Sequence, residues 1–523
     1  MKSLILFLLI VGTLYPQSHG TYSAWSTAVT IPLSEANASA GGGVPNTLVA
    51  LENGKMLVFY TEQIPFPGGP VRSCFAGSSD NGQTWSAPSP GLIAPVTKTA
   101  AIAGSLGAVK LPSGEVAISW ASANPQAVFS AIYNPATGTW SDTVRVSRFV
   151  VRSTGYQFIT ADKKGRLHIV WSDGKIEPGS VQEIYYSRSS DGGVTWSAQR
   201  MLSNDDGRHS SFPCGDFTGT NSDTLVFAWR DSTSGPKNWD VNIAVSTDGG
   251  DNWQAPRSLT TSPLMQSDPQ VVVDKHGGFY IIFHEYSTNC TGGYCASVYF
   301  GYSSDAGQSW GTGFKKISPA DVRSHLCKSA YNAENDRFWA FWKDERDFDF
   351  TTGNPEADIV GIYFENKGTV ASDTVEFISD MGEMEAAFHN FSTGNDGTVY
   401  AIWFADFSQV AQPRRMYFSR RAAVTGVPSE GPRMGESFAM ELRGYPNPFN
   451  PSTVISLKLN EPAMTDVTIF DITGSKVAEI FSGYLEAGSH DFVFDAFFCS
   501  AGTYICEVVI PGRRERLKLA LVK

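Results

Sequence analysis

SSDGGVTWS, running from Ser189 to Ser197, is the stretch from which the fold can be read. It returns as SSDNGQTWS at Ser78–Ser86, as STDGGDNWQ at Ser246–Gln254 and as SSDAGQSWG at Ser303–Gly311. The shared skeleton is Ser-x-Asp-x-Gly-x-Thr/Ser/Asn-Trp. An Asp carboxylate can accept a backbone N–H two residues on and close a local turn. The Gly supplies the positive φ that a side chain resists. The Trp has the area to fill a gap between packed sheets. The skeleton therefore predicts a self-braced turn, built on Asp80, Asp191, Asp248 and Asp305, that ends in a large anchor, Trp85, Trp196, Trp253 or Trp310.

A second element keeps the same beat. Apolar strands ending in an aromatic and mostly followed by an acid place Tyr60, Trp120, Trp171, Trp229, Phe283, Trp342 and Trp403 at intervals of 51–61 residues. Turn signals such as Asn53-Gly54, Gly277-Gly278 and Asp396-Gly397 usually precede them. The Trp series begins earlier, at Trp25, and passes through Trp140 in a shortened box, NPATGTW, that lacks its Asp. Each unit reads as four strands, and a period of this length signals a propeller or an array. Seven units are favoured, and six would result if one irregular unit were misread. The seventh unit stops after its third strand, MYFSR, so Trp25–Leu33 is expected to supply its outer strand and remove a free edge.

The boxes resemble the Asp box, or BNR repeat, of sialidase-like β-propellers. The resemblance implies an all-β propeller with its boxes on the rim, away from the functional face. The family's first arginine stands in an Arg-Ile-Pro motif; here the matching stretch reads Gly43-Val44-Pro45, without the Arg. The acid loop that follows in the family has no clear counterpart in PFPGGPVRS, and neither the Tyr nucleophile nor its Glu partner can be located. The resemblance therefore carries the fold, while catalysis stays open.

Length and composition bound the rest. The chain has 523 residues, 18% of them charged, and a net charge of −12. A nucleic-acid partner calls for a basic face, and an anionic membrane calls for a polybasic patch; neither is visible. Residues 1–20 read as a signal peptide: Lys2, an apolar run from Leu4 to Leu14, and Ser18-His19-Gly20 as a small-x-small cleavage site. That run is too short to span a bilayer, and no later segment is a transmembrane candidate. The propeller is assigned to residues 21–420 and a Pro/Gly/Ser-rich linker to 421–440. Of seven Cys, Cys290 and Cys295 bracket a short loop and could pair, worth about 2 kcal/mol. Cys499 and Cys506 either pair or are core; Cys74, Cys214 and Cys327 read as buried apolar residues.

Residues 441–523 change character, with alternating strands such as VTIFDI and DFVFDA that suit a small antiparallel sandwich. They resemble the Ig-like C-terminal sorting domain of type IX secretion cargo through Tyr445-Pro446-Asn447-Pro448-Phe449-Asn450-Pro451, Asp471-Ile472-Thr473-Gly474, Gly502-Thr503-Tyr504 and the terminal Lys518–Lys523 segment. The resemblance implies export through the inner membrane, contact with the type IX machinery, and release or surface attachment beyond the outer membrane.

In a propeller, ligand sites belong on the face where the connections between blades and the loops after the second strands meet the channel mouth. Those connections carry Arg152, Arg208, His209, Arg323 and His325 as ligand-binding candidates, of which the three arginines could converge on a ligand carboxylate through guanidinium forks. Asp268, Glu383 and Glu385 are the candidates for acid or base. The competing reading pairs these charges across the mouth as scaffold. The acids after the second-strand aromatics, repeated in most units, read as scaffold outright. No metal-ligating, phosphate-binding or nucleophile-elbow motif is present, and no cofactor is expected. The leading expectation is recognition of an extracellular glycan or glycoprotein at the mouth. A glycoside hydrolase acting on sialic or other acidic sugars, and a structural surface protein that binds other proteins, are the alternatives.

Overall fold

The computed structural model describes residues 25–422 and 441–522, less the segments 36–37, 41–46, 65–70, 91–101, 124–125, 148–155, 175–180, 218–222, 233–237, 288–294, 312, 320–321, 346–356, 373–374, 380–384, 407–413, 460–462, 472–475, 486–487, 497–498 and 511–512. The signal peptide, most of the linker, Arg152, Glu383, Cys290 and the Gly43-Val44-Pro45 stretch lie outside these residues. The described residues form strands, turns and bends without an α-helix, so none of them makes a helix able to cross a membrane. The chain divides into two compact units, Met1–Thr425 and Gly426–Lys523.

The first unit holds seven antiparallel sheets among the described residues. Their inner strands are Thr47–Ala50, Ile102–Lys110, Gln157–Ala161, Ser210–Phe217, Gln266–Val273, Ser324–Asn332 and Glu385–Thr393. Each packs beside the next, and the last packs beside the first, so the sheets stand as blades around an axis. The second strands are the apolar segments read from the sequence, for example Leu167–Gly174 and Leu225–Asp231, and they are buried along nearly their whole length.

A propeller has no single core. Apolar residues gather instead in a cluster at each seam between neighbouring blades: Val49 and Leu57 with Val116 and Ile118, Val226 and Ile243 with Val271 and Ile281, and so on around the ring. The seam between the last blade and the first joins Ile402 and Phe418 to Val58 and Tyr60. The seventh sheet takes its outer strand from the start of the chain: Val29–Ile31 pairs antiparallel with Met416–Phe418, and Trp25 bridges to Arg421.

The four Asp boxes share one geometry. In the first, the Ser78 hydroxyl donates to Asp80 Oδ1 at 2.8 Å and accepts the Gly82 N–H at 2.9 Å. Asp80 Oδ1 also accepts the Thr84 N–H at 2.9 Å, and its second oxygen accepts the Thr84 hydroxyl. The carboxylate thus reaches four residues on, rather than the two expected, because two consecutive residues of positive φ, Asn81 and Gly82, turn the chain back toward it. Hydrogen bonds from the fourth residue hold each of the four carboxyls down at about 2. The box Gly is also steric: a Cβ on Gly250 would lie 1.9 Å from the Tyr186 hydroxyl of the preceding blade. The box Trp fills that seam, Trp253 standing edge-on to Tyr186 at 5.0 Å and Trp85 to Phe418 at 5.3 Å. In these four boxes the outer strand starts a few residues beyond the Trp, as at Arg200–Met201 and Arg257–Ser258.

The second unit is a two-sheet sandwich. Glu441–Tyr445, Ser452–Leu459 and Gly488–Asp495 form one sheet, and four strands ending in Arg513–Leu521 form the other. Ile455, Leu457, Val467, Ile469 and Leu519 are fully buried in its core. The Asn-Pro-Phe-Asn run has a clear packing role. Asn447 donates to the Lys518 carbonyl at 2.7 Å and accepts the Ala520 N–H at 2.9 Å, while Phe449 exchanges backbone bonds with Ala520 and Val522. Cys499 and Cys506 are free thiols, not a pair; burial pushes Cys506 up to about 12. Cys74, Cys214 and Cys327 are buried thiols outside any disulfide, as expected, and Cys295 is disulfide-bonded.

Candidate functional site

The inner strands of four consecutive blades share an irregularity at one place. Their pairing slips between Ser211 and Cys214, Ser267 and Gln270, His325 and Lys328, and Ala387 and Asn390. Each bulge holds a non-glycine residue at positive φ: Phe212 at 57°, Asp268 at 49°, Leu326 at 54° and Phe388 at 51°. Such residues are rare, and bulges of this kind re-aim side chains beside functional sites. Here the positive-φ residues are partly exposed while those flanking them are buried. The bulges lie near the start of the inner strands, level with the ends of the second strands, which is the face where ligands were expected.

Around the first two bulges a cation stands in an unusual setting. The Arg230 guanidinium carbon lies 3.9 Å from the Phe212 ring centroid and 4.5 Å from that of Trp239. Tyr156 stacks on Phe212 at 3.7 Å. A planar group and a ring cannot share one face of Phe212 at such distances, so Tyr156, Phe212, Arg230 and Trp239 form a ladder with the guanidinium inside it. Its Nε donates to Ser211 Oγ and its Nη1 to Ser267 Oγ, both at 3.0 Å. These partners are neutral, and no carboxylate among the described residues pairs with Arg230. Burial lowers its pKa, with Asp268, Tyr156 and Tyr286 acting the other way. Taking a charge out of water without a direct ion-pair partner is expensive. This chain does so at the mouth and leaves Nη2 without a partner among the described residues.

The next blade supplies the surroundings. Asp268, 15% exposed, lies 3.7 Å from Nδ1 of the fully buried His284 and 3.3 Å from the Ser267 hydroxyl. Burial drives His284 down to about 4, so the imidazole is neutral at ordinary pH. Tyr286 stands edge-on to it at 4.8 Å. The Tyr156 phenol is raised by burial, lowered by Arg230 and raised by Asp268, a net rise that keeps it protonated.

Two other candidates border this group, His209 with its ring 6.4 Å from that of Trp239 and His325 with its ring 6.2 Å from that of His284. Arg323 and His325 turn toward Glu345, which accepts from His325 Nε2 at 2.9 Å and faces Arg323 Nη1 at 3.2 Å and Lys343 Nζ at 2.9 Å. Burial alone would raise the Glu345 carboxyl, but the His325 hydrogen bond and the charges of Lys343 and His325 outweigh it and hold it at about 2. Arg208 and His209 are exposed; His209 Nδ1 accepts the Gln182 N–H at 3.1 Å. Glu385 opens the inner strand of the seventh sheet opposite Asp406. Second-strand acids are scaffold where described: Trp171, Trp229 and Trp342 donate to Asp173, Asp231 and Asp344 two residues on, at 3.3–3.4 Å. Arg230 sits in that same row, which is why its pattern hid it. Among the described residues no group of His, Cys, Asp and Glu is placed to hold a metal ion.

No protein-family model and no curated protein matches the chain. Solved structures do. An ulvan lyase of polysaccharide lyase family PL25, bound to GlcA(1-4)Rha3S, superposes with a TM-score of 0.51 at 12% identity, over 74% of this chain and 96% of that one. The fold is that of the sialidase-like propellers. Further similar structures are an alpha-L-arabinanase of Penicillium chrysogenum complexed with arabinobiose (TM-score 0.41, 16% identity, 60% and 92% covered) and the NanB sialidase of Streptococcus pneumoniae (0.42, 13%, 76% and 70%). At these identities the likeness speaks for the propeller fold alone.

Proposed function

We propose that this propeller recognises an acidic glycan at its mouth, with Arg230 as the receptor for the anionic group. The observation that carries this reading is the guanidinium held between two aromatic rings without a carboxylate partner among the described residues. A guanidinium edge matches a carboxylate or sulfate in a planar two-point contact. Aromatic rings beside it suit the apolar faces of sugars. The ulvan lyase that superposes on the chain was bound to a unit containing GlcA, which makes uronate polymers the first probes.

Arg230→Gln is expected to weaken binding of a polyuronate roughly tenfold to hundredfold, the worth of a charge-assisted hydrogen bond. The carboxyl-reduced form of the same polymer should bind parent and variant alike. Calorimetric titration of the mature chain checks this. Equal affinity of parent and variant for the acidic polymer would overturn the role of Arg230.

Location belongs to the same reading. In this reading the chain is exported, and residues 441–523 engage the type IX machinery, the role implied by the resemblance that Tyr445–Pro451 and the motifs after it carry. A chain ending at residue 440 is expected to stay in the periplasm, read by immunoblot of cell fractions. Its recovery outside the cell at parental levels would overturn this assignment.

A further inference from the structure

We propose that the same site cleaves its ligand, a 4-linked uronate polymer, by elimination rather than hydrolysis; this rests on the reading of Arg230 as the carboxylate receptor. The argument begins with which groups surround Arg230. The ionisable oxygens that share its field are those of Asp268, Tyr156 and Tyr286. Hydrolysis of a glycosidic bond ordinarily employs two carboxylates flanking it, and the exception that uses a Tyr nucleophile needs a base bonded to that phenol, whereas the Tyr156 hydroxyl has no hydrogen-bonded carboxylate among the described residues. Among the described residues the neighbouring acids are engaged elsewhere: Asp231 accepts from Ser210 and Trp229, and Glu285 from Gln266. One carboxylate, two phenols and one guanidinium remain, and Tyr156 is the more exposed of the phenols.

Elimination uses that set. In a uronate the C5–H bond lies next to the carboxyl group, and a guanidinium on the carboxylate stabilises the negative charge that develops when C5 loses its proton. The C5 proton passes to the Asp268 carboxylate. The C5–H electron pair forms the C4=C5 double bond. The C4–O bond breaks with its pair on the departing glycosidic oxygen, and the Tyr156 hydroxyl gives that oxygen its proton. Asp268 and Tyr156 then regain their starting states by exchange with solvent. No water is consumed and no oxidant or reductant is needed.

The geometry suits these roles. Tyr156 is 37% exposed, and its hydroxyl makes no hydrogen bond to a described residue. Its ring is fixed by the stack on Phe212. Asp268 sits at positive φ in the bulge, its partly exposed carboxylate beside Ser267 and His284. Strain of this kind persists where the surrounding fold over-determines it, and active sites are a common place for it.

The test incubates the mature full chain with polygalacturonate, polyglucuronate and polymannuronate. It follows ultraviolet absorbance of the C4=C5 enoate, new reducing ends and calorimetric binding in parallel. Absorbance rising in step with reducing ends is expected for at least one polymer. Tyr156→Phe keeps the ring on Phe212 and removes only the hydroxyl; turnover should fall by roughly a hundredfold or more, with affinity within about twofold. Asp268→Asn, which tolerates the same backbone, should behave likewise. Binding without the enoate, reducing ends without absorbance, or full turnover by Tyr156→Phe would each overturn elimination while leaving the acidic-glycan reading standing. Absence of binding to every polyuronate would overturn both.

Discussion

Trp25→Ala is expected to destabilise the propeller by about 3–5 kcal/mol, the range for truncating a large buried aromatic. Trp25 is 6% exposed and lies far from the rest of its blade in sequence. Its ring meets Trp339 and Phe341 of the sixth sheet edge-on, both at 6.2 Å, and Phe391 of the seventh at 6.4 Å. Its indole N–H donates to Glu376 at 3.0 Å. Glu376 in turn takes a forked contact from Arg421, with Nε at 2.8 Å and Nη2 at 2.9 Å. The mutation therefore empties a seam and removes one side of the contact that holds the first residues of the propeller to its last strand. Urea titration monitored by tryptophan fluorescence checks it. A midpoint equal to that of the parent would show that the Trp25 ring adds nothing to stability.

Glu345→Gln should cost a comparable amount, about 3–5 kcal/mol, because it breaks a buried charge cluster from its centre. Glu345 and Lys343 are 4% and 7% exposed, and Arg323 and His325 turn toward the same carboxylate. Gln would leave these groups facing a neutral amide. The pH dependence gives a second readout. In the folded chain the carboxyl is held at about 2, below the ordinary 4.5. A depressed carboxyl contributes its stability fully above its unfolded pKa and loses it as pH falls through the folded value. The difference between parent and Glu345→Gln should thus be largest above pH 4.5 and shrink toward pH 2. A difference that stayed constant over that span would mean that packing, not charge, sets the effect.

The periodic part of this molecule was readable from sequence because its causes are local. A Ser, an Asp and a Gly within five residues suffice to close a box, and a Trp three residues beyond the Gly supplies the anchor. The repeated acid after the second-strand aromatic also had a local reason, a carboxylate bonded to the indole two residues before it. The Asn447–Phe449 contacts with the last strand lie more than 70 residues apart, and only a motif could hint at them.

The site was less legible for the opposite reason. Arg230 acquires its character from Phe212, Trp239, Tyr156 and Ser267, brought together from separate stretches by bulges that spacing does not reveal. Phe212-Pro213 and Asp268-Pro269 were the one local sign of those bulges, two X-Pro steps at the same place in successive units. Arginines at the blade connections carry the charge expected of a ligand site, yet the structure turns Arg323 toward Glu345 and leaves Arg208 exposed. Variation from unit to unit marks where a repeat has diverged, and says little about which cation lacks a direct ion-pair partner.

The seams between the sheets form a cycle, since the inner strands pack beside one another and the last returns to the first. In a linear stack, a terminal repeat is lost when one boundary opens. On a cycle, opening one boundary frees nothing: both ends of the opened array are still held by their other neighbours, and a second boundary must open before any sheet can leave. The strand Val29–Ile31 thus does more than cover an edge. It changes how many independent failures the assembly withstands, a property of connectivity that no inventory of contacts, taken one seam at a time, contains.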